Sequence, residues 1–294
     1  MATSFKSLLN DTPVLYRIYH NSFLSGPLHA VKQMGVFLKF KTRMIIEFCQ
    51  TVPRRLGFKD KRFESLKNWK GKYKGKRCFI TCTGPSLTIS DLEKLKDEYV
   101  FGMNSICLIH NKTDWKPDFF GIQDGNVYAK VKGSLLSTDN GFVFAPYQYI
   151  KMFHTPLNWT YFHMSGSYHL YEMRYGKLFS KFSGNCYTTV YDGYTITYSI
   201  MQLALYMGFD ELYLLGADCN YMGNSQHFIE HGNYSNCPDK MTGRLFASYD
   251  KAKRYADKHN VKIINATRGG HLEIFPRMSL EDVLSNKEKN KVCQ

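Results

Sequence analysis

The chain changes its hydrophobic rhythm near residue 76. Before that point, the stretch from Val31 to Cys49 (VKQMGVFLKFKTRMIIEFC) sets Val31, Met34, Phe37, Leu38, Met44, Ile45 and Phe48 against Lys32, Lys39, Lys41 and Arg43. Apolar residues at intervals of three and four with cations between them predict a basic amphipathic helix. Such a helix either packs on the main body or lies on a membrane surface.

From Lys76 onward, short apolar runs alternate with helical patterns. RCFIT (77–81), YVFGMN (99–104), DFFGIQD (118–124) and GFVFAP (141–146) predict four strands. ISDLEKLKD between the first two predicts a short helix capped at Ser90 or Asp91. Tyr194 to Met207 predicts a long helix closed by Gly208. ELYLLGAD then predicts a strand, Leu245 to Asn260 a helix, KIINAT a last strand and LEDVL a terminal helix. Residues 147–190, rich in Tyr, Phe and Trp with little regular period, read as a lid or insertion.

Strand, helix, strand order repeated this way predicts an α/β fold: a Rossmann-like, mostly parallel sheet with helices on both faces. The expected organisation is a helical, basic N-terminal extension over 1–75, a Rossmann-like domain over 76–284 with 147–190 as its lid or insertion, and a flexible tail over 285–294. A chain of 294 residues with 44% hydrophobic content accommodates one such domain and its appendage.

Charge adds one constraint. The formal net charge is +14, and Lys59, Lys61, Arg62, Lys67, Lys70, Lys72, Lys74, Lys76 and Arg77 fall close together. Such a run is a solvated face, a surface for anionic lipid, or an aid to an anionic substrate. No zinc knuckle or RNP-like strand accompanies it, so nucleic acid is not an expected partner. Eight cysteines without a CxxC pair read as reduced core thiols. No run reaches the roughly 18 apolar residues of a membrane span, and the N-terminus lacks a signal peptide's apolar region. The expected location is cytoplasmic, with possible contact at the inner membrane face.

In doubly wound sheets, ligands bind beyond the carboxyl ends of the strands. After RCFIT comes CTGPSL, where Gly84 lets the backbone approach a ligand, Pro85 sets the turn, and Ser86 offers a hydroxyl and an N–H to an anion such as phosphate. The other strand ends supply Asn104, Gln123, Asp124, Asp218 and Asn220. Asp192 and Gly193 precede the long helix, whose free N–H groups would face the same crevice, with Gly193 permitting close approach and Thr195 adding a hydroxyl. The alternative is an ordinary helix start capped by Asp192. Arg268 could hold a carboxylate or phosphate. His227 and His231 in HFIEH and His271 in RGGHLEIF are candidate general bases. The HxxxH spacing would suit metal ligands only on a helix, and this segment is rich in Gly, Asn and Ser, so no metal site is expected.

The set GPSL, FGMNS and a long helix followed by GFDELYLLGADCNY resembles two related groups. One is the 6-hydroxymethylpterin pyrophosphokinase-like family, which includes motility-associated flagellin glycosyltransferases; the other is the bacterial lipooligosaccharide sialyltransferases. The resemblance covers about residues 76–284. It implies a Rossmann-like domain that holds a CMP-sugar without a required metal or cofactor and transfers the sugar with inversion. On that resemblance Gly84, Pro85 and Ser86 match the phosphate-side turn, and Asn104 matches an asparagine that contacts the nucleotide. Gln123 stands where a second asparagine is expected, and Gly193 and Thr195 match small residues under the donor. Two tyrosines expected to steady the leaving phosphate fall on Asn220 and Gln226, with Tyr221 adjacent to the first. The expected histidine falls near Gly243, which leaves His227, His231 or His271 to supply the base.

Three functions follow as expectations. The first is a glycosyltransferase, sialyltransferase-like, that moves a nonulosonic acid from a CMP-sugar to a surface polysaccharide or lipid-linked glycan. The second is a pterin pyrophosphokinase using ATP and magnesium held by Asp124, Asp192 and Asp218. The third is a nucleotide-binding protein without turnover. A homo-oligomer is compatible with all three.

Overall fold

The computed structural model describes residues 22–166, 180–220, 227–229 and 238–285. Contacts divide the chain into two compact units, Met1–Gln50 with Ser167–Lys177, and Thr51–Gly166 with Leu178–Gln294.

In the first unit the described residues belong to one helix, α1 (Ser22–Arg55), whose last turn lies in the second unit. It is longer than the expected 31–49, because its end turns carry Gly26, Pro27 and Pro53, residues that hide a helix from pattern reading. No helix among the described residues is long and apolar enough to cross a membrane.

The second unit is built on a seven-stranded parallel sheet. Its strands are β1 (Arg77–Thr81), β2 (Tyr99–Met103), β3 (Phe119–Gly121), β4 (Phe142–Pro146), β5 (Thr160–Phe162), β8 (Glu211–Leu215) and β9 (Lys262–Asn265). A separate parallel pair, β6 (Met164–Ser165) and β7 (Val190–Tyr191), lies between β5 and β8 in the chain. The sheet order is β5-β4-β3-β2-β1-β8-β9. All pairings are parallel, and β1 runs in register with β8 from Arg77 opposite Glu211 to Thr81 opposite Leu215. The α/β fold with a parallel sheet is as expected.

Apolar residues on successive positions of each strand fill both sides, which is how a parallel sheet covered by helices reads. One side packs Phe101, Phe119, Phe144 and Phe162 against Tyr198, Ile200 and Leu203 of a helix spanning Ile196–Met207. The other packs Phe79, Phe120 and Tyr213 with Leu92, Val127 and Val131.

Residues 51–75, grouped by sequence with the basic extension, contribute Phe63, Leu66 and Trp69 to that first core. The buried Arg54 guanidinium anchors this stretch through Asp60 at 2.7 Å and the Thr188 carbonyl at 2.8 Å. The first part of the aromatic stretch after residue 147, expected to have little regular period, is regular. It forms a helix at Tyr149–Phe153 and then β5, the edge strand, because Tyr149, Trp159, Tyr161 and Phe162 are core side chains. Residues 167–179 of it lie outside the described residues.

Smaller corrections follow from local hydrogen bonds. The helix after β1 spans Ile89–Glu93 and is capped by Thr88, with Asp91 closing a capping box from N3, so neither Ser90 nor Asp91 is the cap. Cys78, Cys82, Cys107, Cys186 and Cys219 are buried free thiols, but Cys49 is exposed on α1. Burial pushes the Cys82 and Cys219 thiols up to about 12. A short helix over 280–285 closes the described chain. Cys237, Cys293 and the expected tail from 286 onward lie outside it.

Candidate functional site

The chain leaves β1 in the middle of the sheet, steps outward through β2 to β5, and returns on the other side at β8. The loops after β1 and β8 therefore diverge at a topological switch point, where a crevice opens at the carboxyl ends of the strands.

Those two loops are locked together. The Gly84 N–H donates to the Gly216 carbonyl at 2.9 Å. The Ser86 hydroxyl donates to Asp218 Oδ2 at 2.8 Å and the Ser86 N–H to Oδ1 at 3.3 Å. A Cβ on Gly84 would collide with the Asp218 carboxylate and the Gly216 carbonyl. Glycine stands here because the chain itself passes close, so the expected approach of a ligand is not what requires it. Nor does Ser86 present free donors: its hydroxyl and N–H hold the chain's own carboxylate. Burial pushes the Asp218 pKa up, and the two Ser86 bonds draw it back. Pro85 is exposed at the tip of the turn.

The loop after β9 and the segment at 227–229 join the same place. Gly270, at φ +73°, packs on the Asp218 backbone, and the His271 N–H donates to the Asp218 carbonyl at 2.8 Å. The Phe228 N–H donates to the Thr83 carbonyl at 2.7 Å. Backbone bonds thus bring His227 and His271, 44 positions apart, to one pair of interlocked loops. Arg268 does not stand open for a ligand; it pairs with the buried Asp91 and reaches the Ser86 carbonyl at 3.4 Å. Asn220 ends the β8 loop half-buried. Residues 227–229 form a bend, not a helix. Tyr221, Gln226 and His231 lie outside the described residues.

A second cluster lies at the ends of β2, β3 and β4. Asn104 adopts φ +50°, and its buried Oδ1 has no protein partner. Asparagine enters the left-handed region more readily than most residues, whereas an unpaired buried acceptor costs free energy. Gln123 accepts from the Ser199 hydroxyl at 2.6 Å and donates to Asp192 at 3.3 Å. Asp192 also takes the Tyr194 N–H at 2.9 Å, so it is not the helix cap. Thr195 is the cap, accepting from the Thr197 N–H at 3.3 Å. Gly193 is required by the Tyr198 ring, which a Cβ would strike, rather than by a ligand. Asp124 caps the helix Gly125–Ser137 by accepting from the N–H groups of Asn126 and Val127.

Sequence reasoning missed Tyr149 and Ser199. The Tyr149 hydroxyl is buried without a protein partner. Burial first, and then the Asp124 carboxylate, Tyr128 and the Asp192 carboxylate, push its pKa up, so the phenol stays protonated. Its only signal was a position three residues beyond β4, hidden among aromatics. A separate cleft of about 400 Å³ lies at the opposite, amino end of the sheet, lined by Arg77, Asp210, Glu211 and Lys262. Arg77 pairs there with Glu98 and Lys262 with Glu211, and the cleft holds no candidate residue. Among the described residues no group of three His, Cys, Asp or Glu side chains is arranged as metal ligands.

Comparison with known proteins gives a family. Residues 57–224, more than half of the chain, match the family described as 6-hydroxymethylpterin diphosphokinase MptE-like. No curated protein matches. Among solved structures, the sialyltransferase CstII from Campylobacter jejuni with cytidine-5'-monophosphate superposes with a TM-score of 0.45 at 14% identity, over 70% of this chain and 86% of that one. The same enzyme with CMP-3FNeuAc gives 0.43 at 15% identity, over 69% and 86%.

Proposed function

Given that the chain belongs to the 6-hydroxymethylpterin diphosphokinase MptE-like family, we propose that it is a glycosyltransferase using a nucleotide-activated sugar. The donor is a CMP-linked nonulosonic acid, and the acceptor is a surface polysaccharide or lipid-linked glycan. The observation that carries this reading is Asn104, held in a left-handed conformation with a buried, unpartnered amide oxygen at the end of β2. A base or ribose donor would satisfy that oxygen.

In this reading the nucleotide lies across the crevice beside β1. The acceptor oxygen attacks the anomeric carbon, the bond to the nucleotide phosphate breaks, and the electron pair leaves with the phosphate. His227 or His271 takes the acceptor's proton. The positive end of the Ile196–Met207 helix favours the departing phosphate. The reaction inverts the anomeric centre and calls for no metal.

The family's description favours a second reading, transfer of diphosphate from ATP to a pterin. The carboxylates that would hold magnesium are committed to the chain's own donors: Asp124 to a helix start, Asp192 to Gln123 and Tyr194, Asp218 to Ser86. This weighs toward the transferase.

Thermal melting of the protein with CMP, CDP, UDP, GDP and ATP, each with EDTA and with magnesium, separates the readings. Stabilisation by CMP or CDP that survives EDTA supports the transferase. Stabilisation by ATP only with magnesium overturns it in favour of the diphosphokinase. Binding without turnover of any CMP-sugar, unchanged by alanine at either histidine, leaves a non-catalytic nucleotide-binding protein.

A further inference from the structure

Helix α1 carries an exposed apolar face that no other described residue covers. Val31, Leu38 and Ile45 recur every seven residues and are 71%, 65% and 61% exposed, and Met34 and Phe48 border them. The opposite side of the helix holds Phe40, which is buried. Beside the apolar face runs a cationic flank of Lys32, Lys39 and Arg43, which share one side of a 3.6-residue helix.

We propose that this face of α1 docks on an anionic lipid surface, lying in the plane of the interface. Charge selects that occupant over a second copy of the chain. Between Val31 and Phe48 the cations Lys32, Lys39, Lys41 and Arg43 face one acid, Glu47, which already pairs with Arg43 at 3.6 Å. Pairing two copies along the seven-residue repeat would bring Lys41 into the seam against like charge. Against lipid, Lys41 lays its stem on the apolar surface and keeps its ammonium at the headgroups; its Nζ already lies 5.4 Å from the Phe37 ring centroid. The helix is too polar to span a bilayer, which leaves the interface. This surface does not depend on the glycosyltransferase reading.

The test is flotation of the full chain with vesicles of phosphatidylcholine alone and with about 30% phosphatidylserine, at low and high salt. The expected result is binding to the anionic vesicles, weakened by salt, and falling about tenfold in Leu38→Glu/Ile45→Glu and in Lys32→Glu/Lys39→Glu. Because these side chains are exposed, the variants should melt with the parent, and that measurement separates lost docking from lost folding. No binding to anionic vesicles at low salt overturns the proposal, as does binding that Leu38→Glu/Ile45→Glu leaves unchanged. A dimer seen by light scattering without lipid, and dissolved by Leu38→Glu/Ile45→Glu, would assign the face to a second copy instead.

Discussion

Ser86 and Asp218, 132 positions apart in the chain, meet through two hydrogen bonds: the Ser86 hydroxyl at 2.8 Å from one carboxylate oxygen and its N–H at 3.3 Å from the other. This contact closes the switch point between β1 and β8. It also gives the donors of the GPS turn to an anion that the chain supplies.

Asp218→Asn should therefore change both stability and binding. Because the folded pKa of Asp218 is raised, the folded state takes up a proton more readily than the unfolded state, and stability falls as pH rises from the unfolded value through the folded one. The isosteric amide keeps partners for Ser86 and removes this dependence, so the variant should melt at or above the parent at neutral pH and lose the slope that begins at the unfolded carboxylate value near pH 4. Removing a negative charge from the turn should tighten nucleotide binding by about tenfold, measured by calorimetry. Unchanged affinity would show that phosphate does not approach this turn.

Gly84→Ala should be among the most damaging single changes. The added methyl meets the Asp218 carboxylate and the Gly216 carbonyl together, and overpacking of this kind costs about 3 kcal/mol in chemical denaturation. Adding Asp218→Ala should restore only part of the loss, since the Gly216 carbonyl is backbone and stays in place.

Asn104→Gly separates strain from binding. Glycine accepts φ +50° without the roughly 1 kcal/mol that other residues lose there, so the variant should melt no lower than the parent. Nucleotide affinity should fall about tenfold or more, because the amide is gone. A variant that binds as well as the parent would remove Asn104 from the site.

Asp60 makes an acid-sensitive clasp. Arg62 and Arg54 bond its carboxylate and hold its pKa down to about 2. Stability from a depressed carboxylate is present above the unfolded pKa near 4 and is lost as pH falls toward 2, a contribution of about 1–2 kcal/mol given the exposed Arg62 partner. Asp60→Asn should abolish that acid limb. At neutral pH it should cost about 3 kcal/mol, because the buried Arg54 loses its counter-ion.

The two described histidines should not behave alike if one is the base. Alanine at the catalytic one of His227 and His271 should lower kcat by about 100-fold or more with CMP-sugar affinity retained. Alanine at the other should stay within about threefold. Equal, small effects at both would point to His231 or to a reaction without a histidine base.

Much of this protein was legible without its structure. Continuous apolar runs such as RCFIT and ELYLL, each followed by glycine and polar residues, specify parallel strands whose loops gather at one edge, because side-chain periodicity and turn chemistry are local properties. The positions of Asn104, Gln123, Asp218 and His271 at strand ends followed from that order alone. Their partners did not. That Asp218 fills the Ser86 turn, that Gly193 yields to Tyr198, that Arg268 is spent on Asp91, and that the aromatics after 147 form an edge strand all depend on contacts between distant segments. Hydrogen-bond partners are chosen by which loops the sheet order sets side by side, and burial by which faces the helices cover. Sequence therefore determined the strands and the residues offered at their ends; only tertiary structure decided which of those residues the chain keeps for itself.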